Sequence, residues 1–127
     1  MDNTIKLSIV TPDGEIFNDN VKSVVLPGKD GEFGVLPSHS SLVSALTVGV
    51  IEITETDNSV EAIAINWGHV KVSENSVDAL VDSAVALKVS DKSTLAANIE
   101  KAHELVQSVK DANIATATVS AKLNSFS

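Results

Sequence analysis

Hydrophobic residues return at every second position along the first two thirds of the chain. Ile5, Leu7 and Ile9 alternate with Lys6, Ser8 and Val10, the period of a half-buried β-strand. Pro12-Asp13-Gly14 then forms a turn, proline fixing φ and glycine admitting positive values. Val21 to Leu26 is a second β-rich run, closed by Pro27-Gly28. A third covers Gly49 to Glu55 and ends at the polar turn Thr56-Asp57-Asn58-Ser59. Val60 to Asn66 answers it, setting Ala62, Ala64 and Asn66 on one side and Glu61, Ile63 and Ile65 on the other, which predicts a hairpin. His69 to Val72, a turn at Ser73-Glu74-Asn75-Ser76, and Val77 to Val81 predict another. Strands recurring at roughly ten-residue spacing with no helix between them favour an antiparallel sandwich or barrel, assigned to residues 1–87.

Near Val89 the period changes. Ser90 is a capable N-cap, with Asp91 where the helix dipole favours negative charge. Leu95, Ile99, Ala102, Val106 and Val109 then recur at steps of three and four, one stripe along an α-helix. Lys110-Asp111-Ala112-Asn113 interrupts it, and a weaker stripe of Ala115, Val119, Leu123 and Phe126 predicts a second helix over about Ile114 to Ser125. Residues 88–127 thus form an antiparallel helical hairpin. Its apolar side chains are too few to offset the entropy of ordering it alone, so it needs a surface to lie on. If that surface is exchangeable, the hairpin can move and act as a regulator.

Composition narrows the function. Hydrophobic residues make up 43%, enough for a packed core. No run approaches the length of a membrane span, and the N-terminus lacks the basic and apolar regions of a signal peptide. A net charge of −8 opposes binding to a phosphate backbone, and four aromatics, Phe17, Phe33, Trp67 and Phe126, cannot build a base-stacking platform, so nucleic acid is not an expected partner. An acidic surface serves solubility or meets a basic protein. The absence of cysteine excludes disulfides and thiolate chemistry.

Catalytic and metal-binding constellations are missing from the pattern. His39, His69 and His103 lie far apart without HxH or HExxH spacing, and no G-x-S-x-G elbow occurs. Gly28-Lys29-Asp30-Gly31 lacks the lysine placement of a phosphate loop and reads as a β-turn. Glu52, Glu55, Asp57 and Glu61 cluster around a hairpin turn and read as a solvated edge rather than an acid–base pair. The segment from Gly31 to Leu46 differs from ordinary sandwich sequence. Gly31 and Gly34 permit tight or left-handed backbone around Glu32 and Phe33, which would expose a charge and an aromatic ring together at a loop tip. A turn with Phe33 folded inward is the competing reading.

Three segments carry a resemblance. The run Gly31-Glu32-Phe33-Gly34-Val35-Leu36-Pro37-Ser38-His39, then Leu42 with Gly49-Val50-Ile51-Glu52-Ile53, and Gly68-His69-Val70-Lys71-Val72 resemble the epsilon subunits of bacterial F-type ATP synthases, counterparts of the mitochondrial delta subunit. The likeness covers residues 4 to 109 and weakens in the last helix. It implies an antiparallel ten-stranded β-sandwich followed by an antiparallel two-helix hairpin. It also implies a non-catalytic part of the central rotor stalk, peripheral to the membrane at the cytoplasmic face of the bacterial inner membrane. The sandwich would bind the gamma subunit and rest on the ring of c subunits, coupling proton flow to ATP synthesis. By the same resemblance Glu32 and Phe33 correspond to the c-ring contact, and Thr11, His39 and Ser44 to the gamma-facing side.

In bacterial members the hairpin either lies on the sandwich or extends into the catalytic alpha/beta head and inhibits ATP hydrolysis. Some bind ATP through a D-x-x-R pattern at the start of the first helix. Here Asp91 is kept, but Thr94 stands where the arginine belongs and cannot make a forked, charged contact to phosphate, so no cofactor is expected. The second helix carries Lys122 as its single cation, where an inhibitory helix would use positive charge. Trp67 stands where relatives have a small residue and receives no role. A free-standing sandwich binding a peptide or carbohydrate is the reading from another class, and it would need a cleft with exposed aromatics.

Overall fold

The computed structural model describes residues 4–38, 40–108 and 113–126. Among these, nine strands and two helices follow in order: β1 (Ile5–Thr11), β2 (Gly14–Gly28), β3 (Gly31–Val35), β4 (Leu42–Leu46), β5 (Gly49–Glu55), β6 (Val60–Ile65), β7 (Gly68–Val72), β8 (Ser76–Val81), β9 (Ala84–Ala86), α1 (Lys92–Gln107) and α2 (Asn113–Asn124). Strand pairing runs β1-β8-β7-β4-β2-β5-β6-β9, with β3 beside β2 and β1 also paired to β2, so the sheet folds back on itself as a sandwich.

The count is nine where the resemblance implies ten, because Gly14–Gly28 is one 15-residue strand. Its first half pairs with β1 from Thr11↔Gly14 to Ile5↔Val21. Its second half lies between β5 and β3, and a register shift between Val21 and Ser23 marks where it bends from one layer into the other. Pairing is antiparallel throughout except between β1 and β8, which run parallel from Lys6↔Ser76 to Val10↔Leu80.

Two cores result. Inside the sandwich, Leu7, Ile9, Val70, Val72, Val77 and Ala79 of one layer meet Val24, Leu26, Ile51, Ile53, Ile63 and Ile65 of the other. Outside the second layer, Val48, Val50, Ala62, Ala64 and Leu87 meet Ile99, Ala102, Val106, Val119 and Leu123 of the helices. The strands between the two cores bury both faces, as Val50 beside Ile51 and the run Ala62 to Ile65 require. The hairpin thus has the surface that its composition demands: α1 crosses β6 and β9, and α2 crosses β5.

The helix starts one residue later than its sequence suggests. Asp91, not Ser90, is the N-cap, its carboxylate accepting from the Ser93 backbone N–H at 3.1 Å and the Ser93 hydroxyl at 2.6 Å. The segment entering the helix is tied down as well. Glu61 Oε1 accepts from the Val89 N–H at 3.0 Å, Asn98 Nδ2 donates to the Leu87 carbonyl at 2.9 Å, and Lys88 between them takes a left-handed φ of 53°.

Candidate functional site

The β2–β3 hairpin turns through Lys29 and Asp30, with Gly28 paired to Gly31 across its base. Gly31 has a φ of 127°, which excludes a side chain without strain, whereas Gly34 is ordinary strand with open space around it. The tip presents Glu32 to solvent but not Phe33. Phe33 is half-buried against the sandwich core, and its ring lies so close over Gly28 that a Cβ there would approach it to 2.8 Å. The expectation of a charge and an aromatic ring exposed together is therefore corrected: the missing side chain at Gly28 lets the ring lie down.

Glu32 is not free at its tip. Lys122 of α2 reaches its Oε2 at 2.5 Å and Glu52 Oε2 on β5 at 3.3 Å. Partial burial pushes the Lys122 ammonium down, but the hydrogen bond and charge of Glu32, then those of Glu52, outweigh it and hold the group above its ordinary value. Glu52 therefore receives a specific cation and is more than a solvated edge.

The layer facing away from the hairpin is different in kind. Val43 is 75% exposed, Leu80 62% and Trp67 52%. The registers Ala45↔His69↔Leu80↔Val10 and Val43↔Lys71↔Asp78↔Ser8 set these side chains in rows across the outer surface. Trp67 meets His69 edge to face, with centroids 6.5 Å apart. Its turn is clamped by Asn66, whose Oδ1 accepts from the Trp67 and Ser83 N–H groups at 2.9 and 3.0 Å and whose Nδ2 donates to Asp82 at 2.9 Å.

Thr11 and Ser44, which the resemblance sets toward gamma, fall at separate points of this layer. Thr11 lines a groove of about 340 Å³ with Pro12, Trp67, His69 and Leu80. Its hydroxyl is engaged in the β1–β2 turn, donating to the Gly14 carbonyl at 3.2 Å and accepting from the Asp13 N–H at 3.1 Å. Ser44, half-buried on β4, lines a second groove of about 440 Å³ together with Val43, Glu32 and Phe33. The structure thus joins Ser44 to Glu32 and Phe33, and Thr11 to Trp67 and Leu80. His39 lies outside the described residues. Trp67 and Leu80 were absent from the sequence-derived set, although a tryptophan beside a strand turn was the available signal.

At the start of α1, the Asp91 carboxylate is occupied by the cap. Hydrogen bonding from the Ser93 side chain, first, holds it below the ordinary aspartate value, with desolvation opposing. Thr94 Oγ1 faces the Asp91 carbonyl and Asn98. All nine cations of the chain are lysine, so no guanidinium can stand in for the missing arginine. Among the described residues, no group of three or more histidines, cysteines or carboxylates could hold a metal ion, and no helix is long and apolar enough to cross a membrane.

A sandwich open on one face and roofed by its own hairpin on the other defines a two-part β-sandwich and helical-hairpin protein. The family model described as "ATP synthase, Delta/Epsilon chain, beta-sandwich domain" matches residues 4–87, and the chain belongs to that family. A curated relative named ATP synthase epsilon chain, from Aliarcobacter butzleri, is 69% identical over 123 residues, covering 97% of this chain and 98% of the relative. Another of that name from a Nitratiruptor species is 53% identical, covering 94% and 93%. Among solved structures, a chain of the Euglena gracilis mitochondrial ATP synthase (OSCP/F1/c-ring) aligns at a TM-score of 0.65 and 25% identity, covering 98% of this chain and 75% of its own. A chain from the Tetrahymena thermophila mitochondrial ATP synthase (central stalk/c-ring) shares the fold at a TM-score of 0.56 and 13% identity, covering 84% and 96%.

Proposed function

We propose that this chain is the non-catalytic rotor-stalk subunit that joins gamma to the c ring, coupling proton translocation to ATP synthesis. The observation that carries the reading is the open outer layer, where Val43, Trp67 and Leu80 stand exposed while the opposite layer is roofed. Large apolar side chains exposed among charged neighbours are what a partner covers. Gamma would cover the rows that hold Trp67, His69 and Leu80, reaching Thr11 at one end and Ser44 at the other. The c ring would meet the β2–β3 tip at Glu32, a rim charge suited to fixing register, with Phe33 bracing the tip from beneath. Relatives named epsilon chain and the c-ring assembly named for the Euglena structure support these partners.

The division into a sandwich (1–87) and a hairpin (88–127) follows the two cores. The hairpin serves at most as a weak regulator of ATP hydrolysis through the catalytic head, because α2 brings one cation to such a contact. Asp91 serves as a helix cap rather than a nucleotide ligand. Co-purification with gamma tests the reading. Full-length chain and residues 1–87 are expected to retain gamma equally, and failure of a folded sandwich to retain it would overturn the assignment.

A further inference from the structure

Two turns meet beside the open layer, 66–67 between β6 and β7 and 82–83 between β8 and β9, and the half-buried Asn66 joins them. One atom of its amide faces two backbone N–H donors, those of Trp67 and Ser83, so that atom is the oxygen. The amide nitrogen donates to the Asp82 carboxylate. The backbone completes the joint, the Asp82 N–H donating to the Trp67 carbonyl at 3.0 Å and the Asn66 N–H to the Ser83 carbonyl at 3.3 Å. Gly68 lets the strands close up behind it, since a Cβ there would collide with the Leu80 carbonyl. Trp67 is therefore held at both its N–H and its carbonyl, which fixes the direction in which its side chain leaves the backbone. The indole itself stands about half exposed, meets only the edge of His69 among the described rings, and belongs to neither core.

We propose that Trp67 is the anchor of the gamma interface and that Asn66 is its positioning residue, presenting the indole already in its bound direction. This rests on the reading of the open layer as the gamma-facing side. A large aromatic side chain turns about two bonds, so ordering it costs little entropy, and a fixed base lowers that cost further. Asn66 touches no partner in this scheme. It acts through the backbone of its neighbour, and Asp82 in turn holds the amide in the one orientation that serves both N–H groups.

Trp67 is the single tryptophan of the chain, so fluorescence anisotropy of the free full-length protein reads this one indole. Asn66→Ala should speed its local depolarisation and weaken gamma binding by about threefold to tenfold, the worth of one or two part-exposed hydrogen bonds. Trp67→Ala should weaken gamma binding more, by roughly thirtyfold or beyond. The deciding measurement is Asn66→Ala in the Trp67→Ala background. There it should add almost nothing, because a positioning residue is idle once the group it positions is gone. A clamp that merely keeps the layer folded would lower affinity by the same factor in both backgrounds, and that result overturns the proposal. Asn66→Asp alone sets two carboxylates against each other and should act like Asn66→Ala. Asn66→Asp combined with Asp82→Asn restores acceptor and donor, and should return anisotropy and affinity toward wild type even if Asn66→Ala fails to fold. No recovery in that folded pair overturns the proposal, as does an indole equally ordered in wild type and Asn66→Ala. If Leu80→Asp weakens gamma binding and Trp67→Ala does not, the anchor falls while the gamma reading stands. If neither changes it, the reading of the open layer falls and the proposal with it.

Discussion

The two outward faces of the sandwich both carry apolar side chains, yet they are made of different residues. The roofed face uses Val48, Val50, Ala62 and Ala64, small side chains that form a smooth bed for a helix pair. The open face uses Trp67, Leu80 and Val43, set among His69, Lys71 and Asp78. A bed of small residues lets helix backbones approach closely and contributes modest, replaceable burial. A large aromatic framed by charges is the composition of an interface centre, where a few residues carry most of the binding energy. The chain thus holds its own hairpin with small apolar side chains, the two ion pairs of Lys122 and the Asn98–Leu87 hydrogen bond, whereas the open face has the composition that a partner would need.

Several substitutions would break or sharpen that contrast. The largest effect is expected on the open face: Trp67→Asp with Leu80→Asp should weaken gamma binding by roughly 3 kcal/mol or more while leaving the melting temperature of the free chain unchanged, as calorimetric titration and a thermal scan would show. Next, Leu123→Ala empties a fully buried site in the second core and should weaken hairpin docking by about 2–4 kcal/mol, read as protease sensitivity confined to residues beyond 88. Ala64→Leu overfills the bed and should cost about 1–3 kcal/mol of docking, with gamma affinity kept. If either core variant abolished gamma binding, the two faces would not be independent.

Smaller still is the nucleotide response. A site with 100-fold excess of ATP over its Kd would stabilise the chain by about 2.7 kcal/mol, so an unmoved melting temperature in millimolar ATP is the expected result. The least effect is electrostatic. Asp91 is held below the ordinary aspartate value of 3.8, so its cap stabilises the helix above that pH and is lost as pH falls through the lowered value. Asp91→Ala should therefore fray the first turn of α1 at neutral pH, and the difference from wild type should vanish in strong acid, measured by exchange of the Lys92 to Leu95 amides.

Much of the fold is legible from short-range pattern. The hairpin of β5 and β6 follows from alternation around Thr56–Ser59, and the helical stripe marks Ile99, Ala102 and Val106, all buried. The first half of β2 is not legible. From Glu15 to Asn20 every residue but the half-buried Phe17 is exposed, and the stretch pairs only with β1, so a single inward side chain and one neighbour leave no alternation to read. The misplaced cap has a local cause: Ser90 and Asp91 are both capable, and Ser93 supplies two donors to the longer reach of the carboxylate. The functional surfaces are the least legible part. Lys122 and Glu32 stand 90 residues apart, and no periodicity links them. Leu80 sits within a predicted strand, but which strand face meets solvent depends on the layer opposite. Ala62 and Ala64 did carry a signal, since a strand apolar on both sides needs a cover on each.

The unbroken course of β2 has a mechanical meaning. Most sandwiches resist sliding of one layer over the other through side-chain packing and connecting loops. Here one covalent strand runs from the turn at Gly14, through the bend at Val21 to Ser23, to the tip at Gly28. A tangential pull on the Glu32 tip is carried along backbone bonds into the strand paired with β1, beside β8 and Leu80. Shear between the Glu32 tip and the open face thus loads a continuous tether rather than a row of hydrogen bonds, giving a small domain stiffness along that one direction.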